Sequence, residues 1–272
     1  MSFSGMLRKL QVNVSLDQPW EFVKGVIVFP GGKSVAPEQQ SIYEHSSTKQ
    51  YALGTKLDLG DRIFRYGKAG GSTLAVGKMT QSASYAGSTA TLQEDCAVTA
   101  AAAGAKTVVV TPATDEPTLN QFEDGYLTIG AASTTGVGQT YKIASHTAFA
   151  TTITLTLYDA LIIALAGTIK GSICGNQYGG LIIGSDEASL TGTMTGVPLK
   201  AVTNAYYGWF QTRGPCGVLM AASSNGSAVG LPMTMAASGS LKVKAAADDP
   251  VVGYALGAYD DADYGLVYLT ID

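Results

Sequence analysis

Hydrophobic and polar residues alternate over short stretches along most of the chain, a pattern typical of β-strands rather than helices. In residues 151–157 (TTITLTL), Ile153, Leu155 and Leu157 share one face and threonines occupy the other. Such stretches are rich in Val, Ile, Thr and Tyr and are separated by Gly, Ser, Asn or Asp. The predicted strands are 62–66, 73–79, 106–111, 125–129, 140–145, 151–157, 181–184, 206–211, 217–221, 241–244, 251–256 and 265–271. We therefore predict an all-β fold, mainly antiparallel and sandwich- or barrel-like, with at most one or two short helices.

One short helix is predicted directly after the alternating stretch. Asp159 is placed to cap a helix that begins at the next residue, and Gly167 is placed to end it. Leu161, Ile162 and Leu165 would form its apolar face.

The first fifty residues differ from the remainder. An apolar run at 26–29 follows Trp20 and Phe22 and precedes a Pro-Gly turn signal. We interpret residues 1–50 as an extended N-terminal arm with a strand or hairpin, ordered by a partner. An ordinary first strand that pairs within the same domain is equally compatible with this pattern. The candidate interface residues of the arm are Trp20, Phe22, Val26 and Val28.

Residues 51–272 form the predicted β-rich body. The turn-rich composition is compatible with a single β-domain. It is also compatible with a split near residues 90 and 200, in which a central β-domain (90–200) is inserted into a base formed by 51–90 and 200–272.

Composition excludes several classes of protein. Charged residues make up 14% of the chain, against about 25% in an average globular protein. A hydrophobic content of 46% excludes a disordered chain, and a net charge of −4 argues against a nucleic-acid partner. The most hydrophobic run, 161–166, is far shorter than the ~20 residues of a membrane helix, and the N-terminus lacks the apolar core of a secretory signal. We expect synthesis in a cytoplasm and no membrane partner.

The residues that serve most metal sites and nucleophilic enzymes are few and scattered. Cys96, Cys174 and Cys216 form no CxxC pair, and neither His45 nor His146 lies at a ligand spacing from them. Most of the paired acidic residues stand beside Gly, Pro or Thr and have the composition of polar turns. We predict no catalytic residue, no cofactor and no metal site.

An aromatic segment at 206–210 is the strongest candidate for a binding surface. On a strand, Tyr207 and Trp209 share one face, while Tyr206 and Phe210 share the other. We expect one face to belong to the core and the other to be exposed or to lie between subunits. Tyr207 and Trp209 are therefore candidate interface residues, and they also suit a sugar-binding platform.

Several stretches of the body share a strand-and-turn pattern with a known class of proteins. They are YALGT at 51–55 with RIFRYGKAGG at 62–71, QTYKIASH at 139–146, LTLYD at 155–159, YGWFQTRGPC at 207–216, and VGYALG at 252–257 followed by VYL at 267–269. This pattern resembles virion structural proteins of tailed bacteriophages, and within that group it is most similar to capsid cement (decoration) proteins. The resemblance runs from residue 50 to the end and contains no catalytic signature.

The resemblance implies a non-enzymatic function. A cement protein binds the outer surface of the major capsid protein lattice and stabilises the head, so the implied location is the virion, after synthesis in the host bacterial cytoplasm. The implied partners are the major capsid protein and further copies of the chain, as a homo-oligomer with a trimer favoured over a dimer. Few charges and many small residues suit such broad complementary surfaces.

Two alternatives stay open. One is a receptor- or glycan-binding spike or fibre component of the virion that uses Tyr207 and Trp209. The other is a tail-associated hydrolase whose carboxylate pair is assembled by the fold.

Overall fold

The computed structural model describes two compact units of the chain, Met1–Gln40 and Ser41–Asp272. The described residues are 21–23, 26–28, 40–85, 91–113, 116–222 and 228–272.

The first unit contains a pair of antiparallel strands. β1 (Glu21–Val23) pairs with β2 (Val26–Val28), and Phe22 lies opposite Ile27. Three of the candidate arm residues, Phe22, Val26 and Val28, therefore belong to this strand pair. Trp20 lies outside the described residues. The interface role of all four residues stays a prediction.

The second unit is all-β, which confirms the predicted fold class, and one of its parts is a closed six-stranded barrel. The barrel strands follow one another along the chain between residues 92 and 174 and pair antiparallel in the closed order β10-β11-β8-β7-β12-β9. They are β7 (Leu92–Val98), β8 (Thr107–Thr111), β9 (Tyr126–Ile129), β10 (Thr140–His146), β11 (Ile153–Leu157) and β12 (Lys170–Cys174). In β11, Ile153, Leu155 and Leu157 are buried, as the alternation predicts.

The other part is an eleven-stranded sheet whose strands precede and follow the barrel in sequence. Its main path runs β13-β6-β14-β15-β19-β18-β16-β17, while β3 and β5 also pair with β15, and β4 pairs with β5. The strands are β3 (His45–Ser46), β4 (Lys56–Asp58), β5 (Ile63–Lys68), β6 (Thr80–Gln81), β13 (Ile182–Ile183), β14 (Met194–Pro198), β15 (Tyr207–Leu219), β16 (Pro232–Met235), β17 (Leu241–Val243), β18 (Gly253–Ala255) and β19 (Tyr264–Thr270). Both parts belong to the same compact unit, and domain limits near 90 and 200 stay a prediction.

Strand β15 joins two strands that the sequence predicts separately, 206–211 and 217–221. The chain stays extended through Gly214, where φ is +89°. A Cβ atom there would collide with the backbone oxygen of Asp61, so only glycine fits this close approach of two strands. The 13-residue strand then pairs with β5 through its first half and with β19 through its second.

The predicted short helix at 159–167 is wrong. Leu161 donates its backbone N–H to the Ala105 carbonyl at 2.9 Å, and Leu165 pairs with Ala101. Leu161 and Leu165 are buried in the barrel core, whereas Ile162 is 73% exposed. Extended pairing with a distant segment therefore replaces the local helix. The described residues contain no α-helix, only 3-10 turns at Glu187–Ser189 and Ala237–Gly239.

Candidate functional site

A buried carboxylate, Asp124, links the barrel to the segment that leads into β4. The side chain is fully buried, and Lys49 Nζ lies 2.5 Å from its Oδ2. The same Oδ2 accepts a hydrogen bond from the Leu53 N–H at 2.8 Å, and Oδ1 accepts one from the Tyr158 hydroxyl at 2.9 Å. Asn176 Nδ2 donates to the backbone carbonyls of both Leu53 and Asp124. We call these five residues the Asp124 network.

The charges in the Asp124 network are mutually stabilised. Burial alone raises the pKa of the Asp124 carboxyl, but hydrogen bonds from Lys49, Leu53 and Tyr158 outweigh it and hold the pKa below its usual value. Burial alone lowers the pKa of Lys49, but Asp124 and Glu123 hold it above its usual value. Both groups are therefore ionised at neutral pH. Because the oxygens of Asp124 are already engaged, the carboxylate holds the two parts together and is not poised as an acid or base.

His146 forms a second buried polar contact in the barrel and is 3% exposed. Its Nε2 accepts the Phe122 N–H at 2.9 Å, so the ring proton lies on Nδ1, which donates to the Thr147 carbonyl at 2.8 Å. Burial lowers the pKa of His146, although the Thr147 contact and the nearby Glu123 act in the opposite direction. The fold therefore favours the neutral ring.

We expect His146 to make the protein acid-sensitive. Its pKa in the folded state is below its value in the unfolded chain, so its contribution to stability is present above about pH 6.5 and is lost as the pH falls through the folded-state pKa. Urea unfolding of the wild type and of His146→Gln at several values between about pH 7 and about pH 5 measures this contribution. The wild type should lose up to ~1.4 kcal/mol more per pH unit than the variant. An equal dependence of the free energy of unfolding on pH in the two proteins would contradict this role of His146.

A cleft of about 520 Å³ opens between the barrel and the sheet beside the Asp124 network, and we call it the junction cleft. It is lined by Lys49, by residues 118–121 and Glu123 of a barrel loop, by residues 68–71 at the end of β5, and by Asn204, Ala205 and Tyr207 at the start of β15. Glu123 is the only carboxylate among its described lining residues.

A second cleft, of about 510 Å³, shares Leu53, Gly175 and Asn176 with the first. Its described lining likewise holds one carboxylate, Asp272. Arg65 binds both oxygens of that carboxylate, at 2.7 and 2.9 Å. Neither cleft therefore holds the facing carboxylate pair that a glycosidase uses.

The sheet also carries a surface that the described residues leave about half-exposed, formed by neighbouring positions of β15, β19, β18 and β16. Register defines three rows of side chains across these strands. The rows are Pro232-Tyr254-Tyr268-Pro215, Leu256-Leu266-Gly217 and Tyr264-Leu219. Tyr254, Leu256, Tyr264 and Leu266 are between 43% and 53% exposed, and none of the nine positions is charged. We call this surface the apolar face.

The two aromatic residues that the sequence predicts as interface residues lie in different environments. Tyr207 is partly exposed and lines the junction cleft. Trp209 is only 4% exposed and packs against Tyr51 and Tyr66, with ring centres 5.3 and 5.0 Å apart. On the other face of β15, Phe210 is fully buried. Trp209 is therefore a core residue, whereas Tyr207 on the same face of the strand keeps part of its surface exposed, and the interface role of the two residues stays a prediction.

The sequence interpretation missed the Asp124 network and the apolar face. The sequence predicts a polar turn at Asp124, and the only local signal there is the glycine directly after it. The apolar face had a clearer signal in β19, because YGLVYLT lacks the polar side that a half-exposed antiparallel strand shows.

Other groups that bear on function are dispersed in the described parts of the chain. No cluster of three or more His, Cys, Asp or Glu residues suited to a metal ion occurs there. Cys96, Cys174 and Cys216 are free thiols, and burial raises the pKa of Cys216 to about 12, which makes it unreactive. Nor do the described residues include a helix with the length and apolar character needed to cross a bilayer. No protein-family model, curated protein or solved structure matches the chain.

Proposed function

We propose that the protein is a non-enzymatic capsid cement protein of a tailed bacteriophage, which binds the outer surface of a major capsid protein lattice through its apolar face. The observation that carries the proposal is the apolar face itself. Its three adjoining rows of Tyr, Leu, Pro and Gly form a contiguous uncharged patch, and patches of this kind on soluble proteins are often functional.

The chemistry of the apolar face favours a protein surface as its occupant. Phosphates and acidic polymers are recognised by Lys and Arg, and the nine positions contain neither. Arg213 and Thr270 border one end of the face, and Asp263 precedes Tyr264 at the other. An apolar centre with a polar rim is the usual anatomy of a protein–protein contact.

The size of the apolar face supports an oligomer. Strand spacing and rise give it an area of roughly 300–400 Å². This is about half of the ~800 Å² that each partner contributes to a standard stable interface. One copy would bind the capsid weakly. Copies linked in an oligomer would bind more tightly, because docking of one copy raises the effective concentration of the others at the capsid surface. A homo-oligomer is therefore part of the proposal, and the preference for a trimer over a dimer comes from the resemblance to cement proteins.

Co-sedimentation with capsids assembled from the major capsid protein tests the proposal. Leu266→Glu places a charge at the centre of the apolar face and should lower capsid binding at least about tenfold, because the charge loses its hydration on docking. Ile162→Glu is the matched control, since Ile162 is an exposed apolar residue of the barrel, and it should bind like the wild type.

Two results would contradict capsid docking through this face. One is equal binding by wild type, Leu266→Glu and Ile162→Glu. The other is unchanged capsid binding by Leu266→Glu together with a loss of self-association, measured by light scattering. That result would mean that the apolar face forms contacts between copies of the chain.

A further inference from the structure

We propose that the junction cleft binds a neutral saccharide. The first argument comes from its polar groups. Glu123 uses Oε1 for Lys49, while its Oε2 has no hydrogen-bond partner among the described residues. The Asn204 amide likewise has no partner within the described chain and is exposed at the cleft. Lys68 Nζ lies 5.4 Å from the centre of the Tyr207 ring, and no carboxylate in the described chain pairs with it. The cleft therefore presents both donors and acceptors that a ligand can satisfy.

The charged side chains that line the junction cleft limit the class of ligand that it can bind. The exposed carboxylate of Glu123 opposes an anion, and the ammonium of Lys68 opposes a cation. The charge of Lys49 is already balanced by Glu123 and Asp124. An apolar ligand would bury these polar groups without hydrogen bonds, which costs free energy. A neutral polyol is repelled by neither charge. It can also hydrogen-bond with the polar groups of the cleft, because each hydroxyl both donates and accepts.

The shape of the cleft suits a sugar ring. Five glycines line it without side chains, so that a ligand can approach the backbone closely: Gly70, Gly71, Gly175, Gly179 and Gly180. Tyr207 is partly exposed at the same cleft, where its ring is stacked on Tyr66 and has Lys68 5.4 Å from its centre, so the C–H groups of a sugar would pack against the part of the ring that these two residues leave uncovered. The volume of about 520 Å³ lies within the range of small-molecule sites.

Saturation-transfer NMR with a panel of neutral oligosaccharides tests the proposal. The panel contains glucose, galactose, mannose and N-acetylglucosamine oligomers, and sialyllactose and inorganic phosphate serve as anionic comparisons. At least one neutral member should bind. Asn204→Ala and Tyr207→Ala should each weaken that binding about tenfold, which corresponds to the loss of one or two good contacts. Glu123→Gln should weaken it less, because the amide oxygen can still accept a hydrogen bond.

The matched control is Tyr126→Ala, which removes a partly exposed tyrosine from the second cleft and should leave saccharide binding unchanged. Asn204 is exposed, so its variant should keep the wild-type melting temperature and report on binding alone. Three results would overturn the proposal: no neutral saccharide binds, the anions bind instead, or saccharide binding is insensitive to Asn204→Ala and Tyr207→Ala. Because the junction cleft and the apolar face share no residue, each of these results is independent of capsid docking.

Discussion

Replacing Trp209 by alanine is expected to lower the free energy of unfolding by about 3–5 kcal/mol. The indole is 4% exposed and lies among Phe64, Tyr66 and Tyr51, so its removal leaves a large cavity on one face of the central strand β15. Urea unfolding followed by far-ultraviolet circular dichroism measures the change without depending on the fluorescence of the deleted tryptophan.

The neighbouring Tyr207→Ala provides the control for this effect. Tyr207 lies on the same strand but is only partly buried, so its removal should cost about 1–2 kcal/mol. A Trp209→Ala variant as stable as the wild type would contradict the core assignment. If Trp209 is a core residue, a loss of sugar binding in Trp209→Ala would come from a damaged fold and not from a lost contact with the sugar. The test of the junction cleft therefore uses Tyr207→Ala.

Asp124→Asn is expected to lower the free energy of unfolding by about 3 kcal/mol. Asparagine tolerates the backbone conformation at this position, where φ is +62°, so the substitution mainly removes the negative charge. Lys49, which is 22% exposed, then loses its closest counter-ion, and the amide cannot accept all of the hydrogen bonds that the carboxylate accepts. Urea unfolding at pH 7 measures the effect.

Two further variants test whether the lost ion pair with Lys49 causes the destabilisation in Asp124→Asn. Asp159→Asn removes a charge from an exposed position and should change stability by less than about 0.5 kcal/mol. In a double-mutant cycle, Lys49→Met should cost much less in the Asp124→Asn background than in the wild type. Additive effects of the two substitutions would contradict a direct ion pair. Because the pKa of Asp124 is lowered by folding, its contribution to stability is present above its unfolded pKa of about 3.8 and is lost as the pH falls further.

Local alternation predicted many of the strands but not their partners, and the predicted strand 73–79 is wrong, because this segment is a turn with one isolated bridge at Leu74. The barrel strands β7 and β12 were missed, and both have irregular patterns: β7 contains adjacent exposed residues, Glu94 and Asp95, and Asp95 has a φ of +54°. The register between them shifts at Gly171 and Ile173. Such irregularities break the period of two on which sequence interpretation depends.

The candidate site was less predictable than the fold. Tyr207 was identified from the sequence and does line a cleft, whereas Trp209, two residues away on the same face, is a core residue. A strand pattern indicates which side chains share a face but not which elements cover that face. The tight packing around Trp209 comes from Tyr51 and Tyr66, about 150 residues earlier in the chain.

The sequence by itself determined the all-β class and the lack of charge on strands such as β11 and β19, because both follow from side-chain types at successive positions. The tertiary structure alone decided that the barrel closes, that residues 159–167 form no helix, that Asp124 is buried against Lys49, and that the described residues leave the apolar face half-exposed. These features depend on contacts between segments far apart in the chain. The free energy of such contacts is set by burial and by the pairing of backbone groups, which no local pattern encodes.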